Sequence, residues 1–102
     1  MPDLGAERVL AAERGTEKIA VEIKTFMGQV FQHEFYEALG QYDSYALALA
    51  DLEPDRMVIL AIPDEAYQDF FQRDYVKAII AAKHIKLLIY NTQTQKVAQW
   101  II

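Results

Sequence analysis

The sequence predicts a mixed α/β (α+β) fold, a central mixed sheet flanked by helices, on three observations. Two extended segments, residues 3–13 and 18–24, flank a turn at Arg14-Gly15-Thr16-Glu17. Residues 30–50 repeat apolar side chains at three-four spacing, the period of a helix with one buried face. Arg56–Ile62 (RMVILAI) is a near-continuous apolar run, the pattern of a strand covered on both sides. The order strand, strand, helix, strand, one or two helices, strand, strand gives layers around one sheet. At 102 residues the chain is expected to form one domain, 1–102, or most of one.

The first two segments read as a hairpin, although AERVLAAER also has helix-forming propensity. In KIAVEIKTF, residues 18–26, side chains two apart share a face. Ile19, Val21 and Ile23 line one face, which has the look of core. Ala20, Glu22 and Lys24 line the other, which is either a solvated surface or a working site. In the helix, Phe31, Phe35, Ala38, Leu39, Tyr42, Ala46 and Leu49 form the apolar stripe. Gly40 within it costs about 1 kcal/mol relative to alanine, which points to a close neighbour there. Pro63 stops the third strand, and Asp64 is placed to cap a short helix over Glu65–Phe71. A further helix covers Tyr75–Lys83. Ile85–Tyr90 and Lys96–Ile102 bracket the polar turn NTQTQ as a terminal hairpin, with Trp100 a packing anchor.

Composition narrows the function. Hydrophobic residues make up 53% and charged residues 25%, an ordinary globular balance. The absence of cysteine rules out disulfides and thiolate chemistry and suits a cytoplasmic location. No run reaches the ~18 apolar residues of a membrane span, so no membrane role is expected. The opening MPDLGAERVL lacks the form of a signal peptide. A net charge of -5 argues against broad adhesion to a phosphate backbone. It leaves room for a carboxylate-bound metal acting on nucleic acid.

Chemistry concentrates around Glu22 and Lys24. Hairpin counting places Glu7 opposite Lys24 and Val9 opposite Glu22. Asp3 shares its face with Glu7 and reaches the site only through a bulge or twist, which Gly5 can supply. Two carboxylates on adjacent strands, Glu22 with Asp3 or Glu7, form an oxygen site for Mg²⁺, and the Ile23 carbonyl completes the shell. Such an ion polarises a phosphoryl oxygen and acidifies bound water. Lys24 then orients the water or stabilises charge on phosphate. Taken alone, Glu22 and Lys24 also fit a plain exposed pair worth about 0–1 kcal/mol. On the helix, Glu34, Glu37, Gln41 and Tyr45 form a polar stripe that either faces this site or faces water. His33 and His84 stand in no metal-ligand spacing. Lys83, His84 and Lys86 make a basic spot too small for a nucleic-acid groove.

An acid at Asp3, then Glu22-Ile23-Lys24 on the next strand, then Gln41 and Tyr45 on the following helix resembles the PD-(D/E)xK nuclease superfamily, and the Q-x-x-x-Y element its RecB-like branch. Over nearly the whole chain, DLGAERVLAAERG, KIAVEIKTF, EALGQY, EPDRMVILAIP and VAQWII resemble the XisH family, fdxN-element excision controlling factors of cyanobacteria. The resemblance implies a restriction-endonuclease-like core and a role in programmed DNA excision during heterocyst differentiation. It implies Mg²⁺ as cofactor, with Mn²⁺ as a substitute, and DNA as substrate. Asp3, Glu22, Lys24, Gln41 and Tyr45 would be the catalytic set, and Asp3, Glu7, Glu22 and Ile23 the metal set. A non-catalytic controlling subunit acting through an XisI-like partner is the alternative, and a homodimer built on the terminal hairpin is also expected. Similar proteins carry a further N-terminal helix and strand before DLGAER; on that comparison this chain lacks the helix. That would leave Asp3 near a terminus, and either the chain is shortened or a neighbouring subunit covers the gap.

Overall fold

The computed structural model describes residues 8–26 and 30–102, with side chains described from residue 12 onward. Its elements are β1 (Arg8–Arg14), β2 (Glu17–Ile23), α1 (Phe31–Leu52), β3 (Arg56–Pro63), α2 (Asp64–Asp69), α3 (Asp74–Ala82), β4 (Leu87–Tyr90) and β5 (Val97–Ile101). One five-stranded sheet runs in the order β1-β2-β3-β4-β5. The two outer pairs are antiparallel hairpins, and β2, β3 and β4 run parallel. The mixed sheet and flanking helices therefore match the expected class. Each parallel step needs a crossover, which α1 and then α2 with α3 supply.

The first hairpin closes at Gly15 and Thr16, with Gly15 at φ 63 in the first central position, the place type II′ turns reserve for glycine. The alternative helical reading of the first segment fails because β1 gains a full antiparallel ladder along β2. Val9 pairs with Glu22, as counting predicted; the pairing expected for Glu7 lies outside the described residues.

β3 sits at the centre of the sheet, and Val58, Ile59, Leu60, Ala61 and Ile62 are all buried, so the doubly covered reading holds. Its alternating side chains serve two cores. Val58, Leu60 and Ile62 pack toward the helices with Phe35, Leu39, Tyr42, Phe70, Phe71 and Val76. Phe35 lies 5.4 Å from both Phe70 and Phe71, edge to face, the arrangement that brings a ring's positive edge to its neighbour's negative face. Ile59 and Ala61 point the other way, to Ile19, Val21 and Leu88, with Met57, Tyr90 and Trp100 packed around them. The two sheet edges meet over that second cluster. Arg14 of β1 stacks 4.8 Å from the Trp100 ring of β5, which makes Trp100 the anchor expected of it.

Several local expectations are corrected. Asp64 is the first residue of α2 rather than its cap, and Pro63 occupies the cap position without a side-chain bond. The Asp64 carboxylate instead accepts a hydrogen bond from Asn91 at 3.1 Å, which fastens the terminal hairpin turn to α2. Gly40 has no neighbour within reach of an added Cβ, so no close approach explains it. Ile85 and Lys86 precede β4 instead of beginning it. Among the described residues no helix is long and apolar enough to cross a membrane.

Candidate functional site

Because Glu22 pairs with Leu60 and Ala20 with Val58, the polar side of β2 faces α1 and the larger core. The solvated-surface reading is therefore wrong. Glu22 is 0% exposed and Lys24 only 4%. An exposed pair would be worth little; here two ionisable groups lie inside the protein, where every unmet polar atom is costly.

Lys24 follows the last residue of β2, and its backbone N–H donates to the Ala61 carbonyl at 3.0 Å, which carries the strand geometry one residue further. The chain then turns at Phe26, whose φ of 54 is unusual for a bulky residue. Burial of its ring against Phe31 and Phe71 offsets that strain and fixes the exit from β2. Lys24 Nζ reaches Glu37 Oε1 at 3.3 Å, and Glu37 Oε2 lies 3.7 Å from His33 Nε2. Glu37 is the more exposed partner, so it ties the buried ammonium toward the surface.

Glu22 is different. Neither of its carboxylate oxygens accepts a hydrogen bond among the described residues. Burial lifts its pKa from 4.5 to about 7, and the nearby Lys24 charge lowers it only partly. The same burial raises the Tyr42 phenol, opposed by the hydrogen bond from Lys86 and reinforced by the Glu22 charge. Tyr42, which periodicity marks only as core, donates its hydroxyl to the Val58 carbonyl at 3.0 Å and accepts from the Lys86 N–H at 3.3 Å. It braces α1 against β3 beside the acid. No spacing rule distinguishes it from the other aromatics of the stripe.

The polar stripe of α1 turns partly inward. Gln41 Oε1 and Glu34 Oε2 are both buried without a hydrogen-bond partner among the described residues. Gln41 consequently bonds neither to Glu22 nor, through its oxygen, to Lys24. Tyr45 is half-buried and packs against the helix-side core. Ile23, half-buried at the end of β2, pairs with Arg8 and Ala61. Asp3 and Glu7 lie outside the described residues, so the choice of first acid is not drawn from this geometry. Among the described residues no three His, Cys, Asp or Glu side chains gather as a metal site, and His33 and His84 stay apart from any such group.

The arrangement is a buried carboxylate with open lone pairs, a buried ammonium held from outside, and orphaned amide and carboxyl oxygens on the covering helix. Its donors suit a hard cation or the hydrogens of a bound ligand.

A family model described as XisH protein matches residues 1–98. Among solved structures, a fdxN element excision controlling factor protein from Anabaena variabilis is 44% identical, with a TM-score of 0.88 over 92% of this chain and 74% of that one. An XisH family protein from Nostoc punctiforme is 43% identical, again with a TM-score of 0.88 over 92% of this chain and 74% of its own. No curated protein matches. With the family model spanning nearly the whole sequence and two solved relatives sharing its fold, the chain belongs to the XisH family.

Proposed function

We propose that this protein is, like its Anabaena variabilis relative, a fdxN element excision controlling factor, and that Glu22 and Lys24 form a PD-(D/E)xK-type site for phosphodiester cleavage. The observation carrying this reading is Glu22: fully buried, without a hydrogen-bond partner among the described residues, and near a buried lysine. A purely structural acid in that position is normally paired or replaced by an apolar side chain.

The residues fit Mg²⁺, or Mn²⁺ in its place, because the Glu22 oxygens are hard donors with no competing hydrogen bond among the described residues. Glu22 and the Ile23 carbonyl would hold the ion, with Asp3 or Glu7 from the segment outside the described residues. When bound, the ion polarises a phosphoryl oxygen and lowers the pKa of its water. Lys24, positioned by Glu37, orients the attacking water and counters charge on the phosphate. Gln41, whose side-chain oxygen has no hydrogen-bond partner among the described residues, would position substrate, and Tyr45 borders the same stripe.

Purified protein incubated with supercoiled plasmid and Mg²⁺ tests this directly. The wild type nicks or linearises the plasmid, and Lys24→Ala and Glu22→Gln lose at least about a hundredfold, the usual scale for an electrostatic or acid-base group. Intact plasmid with every variant removes the cleavage reading. The net charge of -5 favours a second reading, control of excision through an XisI-like partner without cleavage. Co-purification with such a partner that persists in Glu22→Ala supports it. Work in the cytoplasm fits a chain without cysteine. Light scattering checks the homodimer expected from the terminal hairpin.

A further inference from the structure

A cavity of about 490 Å³ opens between α2, α3 and the β4–β5 hairpin, and none of Glu22, Lys24, Gln41 and Tyr45 lines it. Its volume falls in the ~300–1,000 Å³ range of small-molecule pockets. Phe71, Ile80, Ile85 and Leu87 give it an apolar floor. Lys77, His84 and Lys86 also line it, and no acidic side chain does. In a chain of net charge -5 that concentration of basic groups runs against the overall balance. Neither lysine has an ion-pair partner among the described residues, whereas neighbouring Lys83 is held by Asp43 at 2.9 Å.

The backbone adds an independent observation. His84 follows the end of α3 at φ 54, with its N–H donating to the Ala81 carbonyl and the Ile85 N–H donating to Ile80. That is the helix-ending motif in which glycine is the usual residue. A histidine there is strained relative to glycine, and His84 is one of the residues lining the cavity.

We propose that this cavity binds a small amphipathic anion, with an aromatic or aliphatic body on the Phe71–Ile80–Leu87 floor and its anionic group at Lys77, His84 and Lys86. The apolar floor supplies affinity, and the two ammonium groups with the imidazole select for the charge.

Two matched fluorescent probes test it: 8-anilino-1-naphthalenesulfonate, which is anionic, and N-phenyl-1-naphthylamine, its neutral counterpart. Titrations of the intact chain at low salt, followed by fluorescence and by backbone amide NMR shifts, give affinity and location together. The anionic probe is expected to saturate one site, shift amides around Ile80, His84 and Ile101, and bind about tenfold more tightly than the neutral one, the scale of one charge-assisted contact. Lys77→Ala with Lys86→Ala abolishes that preference and leaves the neutral probe's affinity unchanged. His84→Gly raises the thermal midpoint while weakening the anionic probe, opposite signs that a merely structural histidine would not give. Equal affinity for both probes, shifts located elsewhere, an unaffected double variant or no saturable binding overturns the proposal.

Discussion

Alternate residues of β2 enter two interiors that solve burial differently. Ile19 and Val21 join Ile59, Ala61 and Leu88 in a wholly apolar cluster beneath the meeting edges of the sheet. Ala20, Glu22 and Lys24 face the larger, helix-side core, where the Glu22 carboxylate is buried with no hydrogen-bond partner among the described residues. The first side only stabilises. The second gives up stability at Glu22, and a site kept at that cost is where function is to be sought.

The comparison breaks first at its apolar side. Ile59→Ala should cost about 2–5 kcal/mol in urea unfolding, since Ile59 is fully buried in the cluster it shares with Ile19, Val21, Ala61 and Leu88. The loss should be the same at pH 6 and pH 8; a strong pH dependence would mean that the two interiors are coupled.

Glu22→Gln probes the other side, with chelator present. The folded state holds the Glu22 proton up to about pH 7, while the unfolded chain releases it near 4.5. Between those values the folded form binds more protons, so stability falls as pH rises and the penalty is complete above pH 7. A shift from 4.5 to about 7 corresponds to at most about 3 kcal/mol. The Gln variant should therefore gain on the wild type above pH 7 and lose that advantage below pH 4.5, as measured by denaturation across the range.

Arg56 holds both interiors at the entry to β3. It donates to the carbonyls of Ile19 at 2.8 Å and Ala12 at 3.2 Å, and pairs with Glu53 at 3.0 Å. Arg56→Ala should cost about 1–2 kcal/mol in the same unfolding experiment, because two backbone acceptors lose a charged donor.

Arg14→Ala is the smallest change. Losing the stack on Trp100 and the exposed bridge to Glu17 should cost at most about 1 kcal/mol. The Glu22 titration should be untouched, since Arg14 closes only the apolar side. A moved Glu22 midpoint would show that the sheet edges control the site.

The ladder register was legible because hairpin counting needs only the turn and a period of two: Val9 meets Glu22 as counted. The long helix and the central strand were legible from periodicity and from the unbroken run in β3. The burial of Glu22 was not. Alternation in a hairpin normally sends charged residues to water, and the cover over this face comes from α1, which follows β2 in the chain but lies over it only because the parallel crossover to β3 folds it back. The stripe of Glu34, Glu37 and Gln41 carried the clue, yet a polar helix face facing water has the same spacing. Asp64 misled for a related reason. Its cap chemistry is local, whereas the bond that claims it comes from Asn91 in a hairpin read separately. Asp3 and Glu7, which bear on the metal set, lie outside the described residues.

The most direct test is a carbon-detected NMR titration of the Glu22 side-chain carboxyl, assigned by its loss in Glu22→Gln, with and without Mg²⁺. With chelator present the midpoint should lie near 7, and saturating Mg²⁺ should drive it well below that value, because a bound cation favours the ionised carboxylate. A midpoint near 4.5 without metal, or one near 7 that Mg²⁺ does not move, would contradict the account of Glu22 as a buried acid open to a cation.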